Sequence, residues 1–357
     1  MDVKNTFLNR DLNEEVYMEP PRGSSIPFSK TEHGTILRLL YVDDMIITRD
    51  DTVDIFSLKQ FLSRQCEMKD LGFLNYFLSL EISHDPSGNF LSQAKYTSDL
   101  LAHVGLTNCK TASTPIDPQT RLTLLDGHVL SNATLYHQLV SSVVYLMVTR
   151  PHIAYVVHIV SQFMVVPHFP HYDALVCILC YLKGTMFHGL HNSAHSSVQL
   201  HTFSDANWAG DPTDRRSTTG FCFFLGDSPI AWRSKKQTLT ARSSTETEYR
   251  ALADTTQELV WLRWLLSDIG ISHPTATNLY CDNQSAIKIA HNDVFHDRTK
   301  HIEIDCHFIR QHVTSGTVRL LFVTSANQTI DIFTKAHPPR RFSDLLSKLK
   351  LLYALPP

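Results

Sequence analysis

The C-terminal half of the chain alternates between short strand-like runs and longer amphipathic stretches. Alternating hydrophobic and polar residues predict strands, and hydrophobic residues at helical spacing predict helices. Three antiparallel strands followed by alternating helices and strands indicate a mixed five-stranded sheet with flanking helices, α/β in class. The predicted strands are 198–204, 218–225, 229–234, 277–281 and 318–323, and the predicted helices are 245–268, 284–291, 299–313 and one from Asn327.

The N-terminal half predicts shorter elements separated by turn signals. A strand pair over 35–48 meets at Asp43-Asp44, and Asp85-Pro86-Ser87-Gly88 is typical of a turn between two further strands. Residues 107–133 are rich in Thr, Asp and Asn and contain two prolines, which predicts a linker or a long loop. The remaining predicted elements are strands at 74–83 and 89–92 and helices at 53–68, 96–104, 134–148, 152–166 and 171–183.

Composition and charge narrow the class of protein. The 357 residues are 43% hydrophobic, enough for a substantial core, and the net charge of -3 limits nucleic-acid binding to local patches. Seven scattered cysteines argue against a disulfide framework. Residues 1–10 lack a secretory core, and the longest apolar stretch, 153–166, is too short to span a bilayer. We therefore expect an intracellular protein, cytoplasmic or nuclear, that neither is secreted nor binds a membrane.

Four acidic residues in the C-terminal half are candidates for one metal site. Asp205 and Asp282 end predicted strands, Glu248 lies early in a predicted helix, and Asp331 opens another. Each has an ordinary alternative: a turn, a helix cap, a capping box or a first-turn charge. Together they form the carboxylate set that two divalent metals need to hydrolyse a phosphodiester. Magnesium prefers such oxygen ligands.

The choice of Glu248 over Glu246 depends on helical spacing. Glu248 precedes Leu252 by four residues, on the stripe that continues through Leu259. A carboxylate on a core-facing stripe must be paired or bind a metal, because isolated burial is costly. Glu246 falls on the other face, beside Arg250, and is predicted to be a solvated first-turn residue.

Several segments of this half resemble the ribonuclease H domain of copia-type retrotransposon polyproteins. They are Ser204-Asp205-Ala206-Asn207-Trp208-Ala209-Gly210, Ser243-Ser244-Thr245-Glu246-Thr247-Glu248-Tyr249, Cys281-Asp282-Asn283-Gln284-Ser285-Ala286 and Ile330-Asp331-Ile332-Phe333-Thr334-Lys335. The resemblance implies a nuclease that cuts the RNA strand of an RNA–DNA hybrid with two Mg²⁺ ions, for which Mn²⁺ is a possible substitute. It makes Asp205, Glu248, Asp282 and Asp331 both the catalytic residues and the metal ligands.

The N-terminal half resembles the reverse transcriptase of the same family. Tyr41-Val42-Asp43-Asp44 is similar to the motif that holds magnesium on a turn, and Asp2 begins a segment similar to the one that supplies a third aspartate. The family's Tyr-Gly-Leu-Lys-Gln helix has no counterpart between Pro21 and Tyr41, which implies a lost internal segment and an inactive polymerase. The implied division is 1–106, incomplete palm and thumb; 107–133, linker; 134–190, helical connection; and 191–357, ribonuclease H-like domain.

A local group of basic residues accompanies the predicted strands. Some of these side chains are expected to contact phosphates, although a solvated charged surface is an equal alternative. Two other accounts of the whole chain stay open: a non-catalytic nucleic-acid-binding remnant, or a non-functional pseudogene product. The sequence does not determine the oligomeric state. The basic residues are Arg215, Arg216, Arg233, Lys235, Lys236 and Arg242.

Overall fold

The computed structural model describes residues 2–3, 30–31, 34–42, 44–49, 52–65, 68–292 and 302–353. The chain divides into two compact units. The smaller unit comprises Met1–Asn75 and Trp261–Ser272, and the larger comprises Tyr76–Val260 and His273–Pro357. No helix in the described part of the chain is both long and apolar enough to cross a membrane.

The smaller unit contains one sheet and one helix from the N-terminal part of the chain. Strands β3 and β4 form an antiparallel hairpin with Tyr41 opposite Asp44, which confirms the predicted strand pair. The sheet order is β2-β3-β4-β1-β5. The bounds are β1 Asp2–Val3, β2 Lys30–Thr31, β3 Gly34–Tyr41, β4 Asp44–Arg49, α1 Thr52–Gln65 and β5 Met68–Lys69.

The larger unit begins with a hairpin and continues through a group of helices. The turn at residues 85–88 joins two strands, as the turn signal predicts. The sequence predicts a helix at the position of each of the four α-helices that the described part of this unit has before residue 185. The bounds are β6 Tyr76–Phe77, β7 Leu80–Asp85, β8 Gly88–Ser92, α2 Ala94–His103, α3 Ala133–Leu146, α4 Ala154–Ser161 and α5 Phe169–Gly184.

The rest of this unit contains the mixed sheet that the sequence predicts. Three neighbouring strands are antiparallel, and the last two run parallel to the central one, in the order β12-β11-β10-β13-β14. The bounds are β9 His188–Ser193, β10 Leu200–Asn207, β11 Thr218–Leu225, β12 Ser228–Lys236, α6 Ser244–Asp268, β13 Thr277–Cys281, α7 Gln284–Ala290, α8 Glu303–Thr314, β14 Val318–Phe322, α9 Pro339–Lys348 and β15 Leu351–Tyr353.

A second sheet of the larger unit brings distant segments of the chain together. Its order is β15-β9-β8-β7-β6, so the end of the chain pairs with β9, which in turn pairs with the early hairpin. Neither β9 nor β15 was predicted. β9, His-Gly-Leu-His-Asn-Ser, has only one aliphatic residue, and the sequence of β15 is three residues long, so neither carries a period-two signal.

One hydrophobic core joins the helices α3–α5 to the mixed sheet. It includes Val157 and Leu179 from the helices, Phe224 from β11 and Phe333 from the turn beyond β14. The predicted linker, 107–133, contains no regular helix, but it is packed rather than free: Ile116 and Leu122 are buried in this core. The four-part division of the chain stays a prediction, and the mixed sheet is not structurally independent of the helices before it.

The helix predicted from Asn327 is wrong. Thr329–Phe333 form a short 3-10 turn instead, and α9 begins only at Pro339. The backbone amides of Thr334 and Lys335 both donate to the carbonyl of Asp331, which closes the turn. Pro338 and Pro339 lack amide hydrogens, so a regular helix cannot run through them.

His158, a partly buried histidine, links α4 to β12, and its environment predicts a pH effect on stability. His158 Nε2 accepts a hydrogen bond from the backbone amide of Lys236 at 2.9 Å. Burial and then nearby Lys236 and Lys235, opposed by Asp211, lower the pKa of His158 to about 4. As the pH falls, the imidazole therefore takes up a proton in the unfolded chain, near pH 6.5, before it does so in the folded chain. This difference lowers the free energy of unfolding progressively down to pH 4, by up to about 3 kcal/mol.

We expect His158→Gln, which keeps an acceptor but cannot titrate, to remove this part of the pH dependence. Urea unfolding of both proteins at pH 7.5, 5.5 and 4.5 measures it. The difference in unfolding free energy between wild type and variant should shift in favour of the variant as the pH falls. Parallel pH profiles would contradict the assignment.

Candidate active site

Two of the predicted carboxylates meet where the central strand crosses the long helix. Asp205 lies near the end of β10 and is 2% exposed, and Glu248 lies in the second turn of α6 and is 5% exposed. The backbone amide of Ala206 donates to Glu248 Oε1 at 3.2 Å, which holds the glutamate against the strand that carries Asp205. Two acidic groups from different elements are therefore buried side by side.

The third carboxylate approaches from the neighbouring parallel strand. Asp282 directly follows β13, and its Oδ2 accepts a hydrogen bond from Ser325 Oγ at 2.8 Å. Glu248, Cys281 and Asp282 each offer a donor atom within 4.8 Å of the others. Asp282 is only partly buried, so this side of the group is open to solvent.

The fourth carboxylate comes from the 3-10 turn. Thr334 Oγ1 donates to Asp205 Oδ2, and Asp331 is 5% exposed. Lys335 Nζ lies 2.8 Å from Asp331 Oδ1, and Arg341 lies 3.3 Å from its other oxygen. Asp331 is thus part of the acidic group, but two cations already pair with it.

A glycine allows this turn to lie against the sheet. Gly220 on β11 is the register partner of Asp205 on β10. A Cβ at position 220 would come within 2.7 Å of Thr334 Cγ2 and 2.9 Å of Phe333 Cβ. Any larger residue would push the turn away from the strand, and with it the hydroxyl of Thr334 that fixes Asp205.

The electrostatics show an excess of buried negative charge. Burial raises the pKa of Asp205 to about 6; Lys335 opposes this rise, and Asp331 adds to it. Burial, then Asp205 and Asp282, raise the pKa of Glu248 well above its usual range. Burial alone would lower the pKa of Lys335, but Asp205 and Asp331 raise it overall. A divalent cation would relieve this repulsion.

The donor atoms suit a hard cation. Asp205, Glu248 and Asp282 contribute carboxylate oxygens, which Mg²⁺ and Mn²⁺ accept. The Cys281 sulfur lies 3.8 Å from Glu248 Oε2, and burial raises its pKa, so it stays a thiol and is a poor ligand for magnesium. Asp331 would become available as a fourth ligand if its ion pairs with Lys335 and Arg341 were broken.

Glu246 is not the solvated residue that its position on the helix predicted. It is 6% exposed, pairs with Arg250 at 3.0 Å and accepts from the backbone amide of Arg242. Its own amide donates to Ser243 Oγ at 3.1 Å, so the capping interaction at the start of α6 involves Ser243 and Glu246. Glu248 is therefore not needed as a cap, which removes its ordinary alternative.

Three residues of the site were not selected from the sequence. Thr334 orients Asp205, Ser325 orients Asp282, and Lys335 places a positive charge within the acidic group. Thr334 and Lys335 stand in the quoted segment around Asp331, so closeness to an acidic candidate was the available signal. Ser325 lies 43 residues from Asp282, and only the pairing of β13 with β14 brings it near.

The basic residues do not form one uniform patch. Lys236 is paired with Asp211 at 2.7 Å and Asp214 at 2.9 Å, and Arg216 is also paired with Asp214, at 3.5 Å. The charge of Lys236 is therefore largely neutralised within the protein. The exposed basic side chains that form no ion pair with a carboxylate among the described residues are Arg215, Arg233, Lys235 and Arg242.

The predicted polymerase aspartates lie in the smaller unit. Asp2 on β1 is the register partner of Asp44 on β4, so the backbone brings these two positions together. Asp43 lies outside the described residues.

Comparison with known proteins identifies the family. A model described as "Reverse transcriptase (RNA-dependent DNA polymerase)" matches residues 28–118. The Pol polyproteins of transposons RE2 and RE1 from Arabidopsis thaliana are 37% and 42% identical to the chain, over 100% and 98% of its length. The chain spans only 28% and 27% of those relatives. A foamy viral protease-reverse transcriptase in complex with RNA/DNA hybrid aligns over 81% of the chain and 36% of that protein, at 11% identity and a TM-score of 0.46.

The alignment with the RE2 polyprotein extends over 404 residues, more than the 357 residues of this chain. The RE2 polyprotein therefore has additional residues within the aligned region. Near-complete coverage at this identity, together with the matched reverse transcriptase segment, places the sequence with its relatives. The chain belongs to the family of copia-type retrotransposon Pol polyproteins.

Proposed function

We propose that the C-terminal region, 191–357, hydrolyses the RNA strand of RNA–DNA hybrids as a ribonuclease H-type endonuclease with two divalent metal ions. The observation that carries this proposal is the convergence of Asp205, Glu248 and Asp282 from three separate elements into one partly open, negatively charged group. Folding alone does not require these carboxylates to be buried together, because each one raises the free-energy cost of burying the charge of the others.

The side chains have distinct tasks in this mechanism. Asp205, Glu248 and Asp282 would hold magnesium, with Asp331 completing the set. Magnesium would supply an activated water and charge stabilisation for the leaving oxygen. Thr334 and Ser325 hold Asp205 and Asp282 in position, and pre-set ligand geometry limits the reorganisation needed at the reaction. Lys335 would leave Asp331 and face the phosphate.

The polymerase part is proposed to be an inactive remnant. The matched reverse transcriptase segment begins at residue 28, after Asp2. The relative's longer aligned stretch supports the loss of an internal segment. Positioning of template and nucleotide needs more than three aspartates, so Asp2, Asp43 and Asp44 would not suffice for synthesis.

The full-length chain is the correct test material, because the sheet shares its core with α3–α5. We expect magnesium-dependent cleavage of a hybrid labelled on its RNA strand, and no cleavage after chelation. Asp282→Asn should lose the activity while it stays folded, since Asp282 is partly exposed. Absence of cleavage by a cooperatively folded wild-type chain would refute the nuclease proposal.

One observation favours a second candidate, a nucleic-acid-binding remnant without catalysis. Lys335 Nζ lies 2.8 Å from Asp331 Oδ1 and supplies positive charge where a metal would otherwise do so. If Lys335 permanently replaces the metal, the chain would bind hybrid in chelator and cleave it under no condition. The same assay, with a binding measurement beside it, separates the two candidates.

A further inference from the structure

A cavity of about 130 Å³ opens beside the acidic group. Its walls come from the loop at 116–122, from α4 and from the segment that follows β10. Asn207, two residues beyond Asp205 on the same strand, lines it, and so does Lys335, whose ammonium pairs with Asp331. The cavity therefore shares Lys335 with the candidate active site, and one of its walls belongs to the region before the mixed sheet.

The lining of this cavity contains two basic residues, Arg121 and Lys335, and one acidic residue, Asp211. Arg121 Nη1 donates to the carbonyls of Pro118 at 2.9 Å and Thr120 at 3.0 Å, which fix the guanidinium at the rim. Arg121 has no ion pair in the part of the chain that the structure describes. Asp211, the acidic residue of the lining, is already paired with Lys236 at 2.7 Å. The charge of Arg121 is thus available to an anion.

The rest of the cavity lining is partly apolar and partly polar. Ile116, Leu122 and Ile159 provide an apolar part of the lining, while Gln162 and Asn207 add amides. The Gln162 oxygen already accepts from Lys236 Nζ at 3.1 Å, so Gln162 offers its amide hydrogens. An apolar surface suits the carbon face of a ribose, and amide hydrogens donate to hydroxyl groups. A fixed guanidinium at the rim suits a phosphate oxygen.

We propose that this cavity binds the sugar–phosphate unit next to the scissile phosphate on the cleaved strand, with Arg121 as the phosphate contact. The proposal rests on the proposed nuclease function. It makes the loop at 116–122 part of the substrate site, so the segment predicted as a linker would determine how the hybrid is held. Arg121 is a binding residue in this scheme and takes no part in the chemical step.

The test measures binding separately from cleavage. In an Asp282→Asn background, which does not cut, Arg121→Ala should weaken binding of an RNA–DNA hybrid about fivefold near 0.1 M salt. It should also reduce the slope of log affinity against log salt concentration by about one. Arg121→Lys should keep most of the slope, because it keeps the charge. Arg319→Ala, which removes an exposed charge from the edge strand β14, is the matched control and should change neither quantity.

A hybrid with a single neutral methylphosphonate locates the contact. A methylphosphonate next to the scissile phosphate should weaken binding of the hybrid to the protein that retains Arg121. It should not weaken binding to Arg121→Ala any further. Unchanged affinity and slope in a folded Arg121→Ala protein would overturn the proposal. So would an equal effect of methylphosphonates at every position, which would indicate general electrostatics only.

The outcomes for the two proposals are distinguishable. Cleavage by wild type with no effect of Arg121→Ala on binding would remove the cavity proposal alone. Arg121-dependent binding by a wild-type chain that does not cleave would remove the nuclease proposal alone. No hybrid binding by any folded variant would remove both.

Discussion

Asp205→Asn is expected to reduce magnesium-dependent cleavage by about three orders of magnitude and, in the absence of metal, to make the protein more stable. The loss follows because the asparagine amide would not supply the negative charge with which Asp205 would help to hold a divalent metal. The fold should persist, since the amide oxygen of asparagine can still accept the hydrogen bond from Thr334. Activity and stability should therefore change in opposite directions.

The gain in stability follows from the burial of the charge. The pKa of Asp205 is raised from 3.8 to about 6, chiefly by burial. A carboxylate whose pKa is higher in the folded state destabilises the fold at pH values above that pKa, by about 3 kcal/mol here. The cost decreases as the pH falls through 6 and the group takes up a proton, so the advantage of the variant should disappear near pH 4.

Urea unfolding in chelator at pH 8 and pH 4.5 measures this change. Asp282→Asn is the matched control: it removes a ligand that is partly exposed, and should stabilise the chain less. Added magnesium should stabilise wild type more than Asp205→Asn, because a ligand that binds only the folded state raises stability. Equal or lower stability of Asp205→Asn at pH 8 would show that the buried charge is already balanced.

His152→Asp is expected to be about 2 kcal/mol more stable than His152→Asn, because hydrogen bonds between charged groups are the stronger ones. Arg150 is fully buried, and among the described residues only its Nη2 has a hydrogen-bond partner, the carbonyl of Met186 at 2.6 Å. Among the described residues, Arg150 Nε and Nη1 and both ring nitrogens of His152 lack hydrogen-bond partners. Burial lowers the pKa of Arg150 to about 10, and burial and then Arg150 lower that of His152 far below 6.5. A carboxylate at position 152 would pair with this uncompensated cation.

The control for this prediction is His152→Asn, which has the size of aspartate but no charge. Thermal and urea unfolding should place His152→Asp above His152→Asn. Both variants lose the ring contacts of His152 with Tyr181 and Phe342, so the comparison between them isolates the charge. Arg150→Met is a second test, because it removes the buried positive charge itself. We expect the variant to fold, since an apolar residue can replace a buried charge. If His152→Asp is less stable than His152→Asn, the guanidinium is already compensated and the prediction fails.

The helix α6 illustrates how far sequence reasoning reached. Hydrophobic spacing selected Glu248 as inward-facing, and the structure places it beside Asp205. The same spacing predicted that Glu246 is solvated, which is wrong, because Arg250 and the backbone of Arg242 cover it. Hydrophobic spacing predicts on which side of its own helix a residue lies. It does not predict whether residues outside the helix cover the side that faces away from the core.

The turn at Asp331 shows a second limit. The acidic residue was selected, but its helix was wrong, because two prolines and the packing of Phe333 against Gly220 favour a short turn. The pairing of β9 with β15 was also missed, since edge strands of few residues depend on partners far away in the chain.

Local patterns in the sequence predicted the elements of the mixed sheet, its α/β class, the family and four candidate carboxylates, because periodicity and local motifs are properties of neighbouring residues. Three findings came from the folded chain alone: the residues that orient those carboxylates, the pairing of Lys335 and Arg341 with Asp331, and the packing of the predicted linker into the shared core. These are contacts between residues far apart along the chain. They depend on strand register and on the packing of helices against a sheet, neither of which a local pattern specifies.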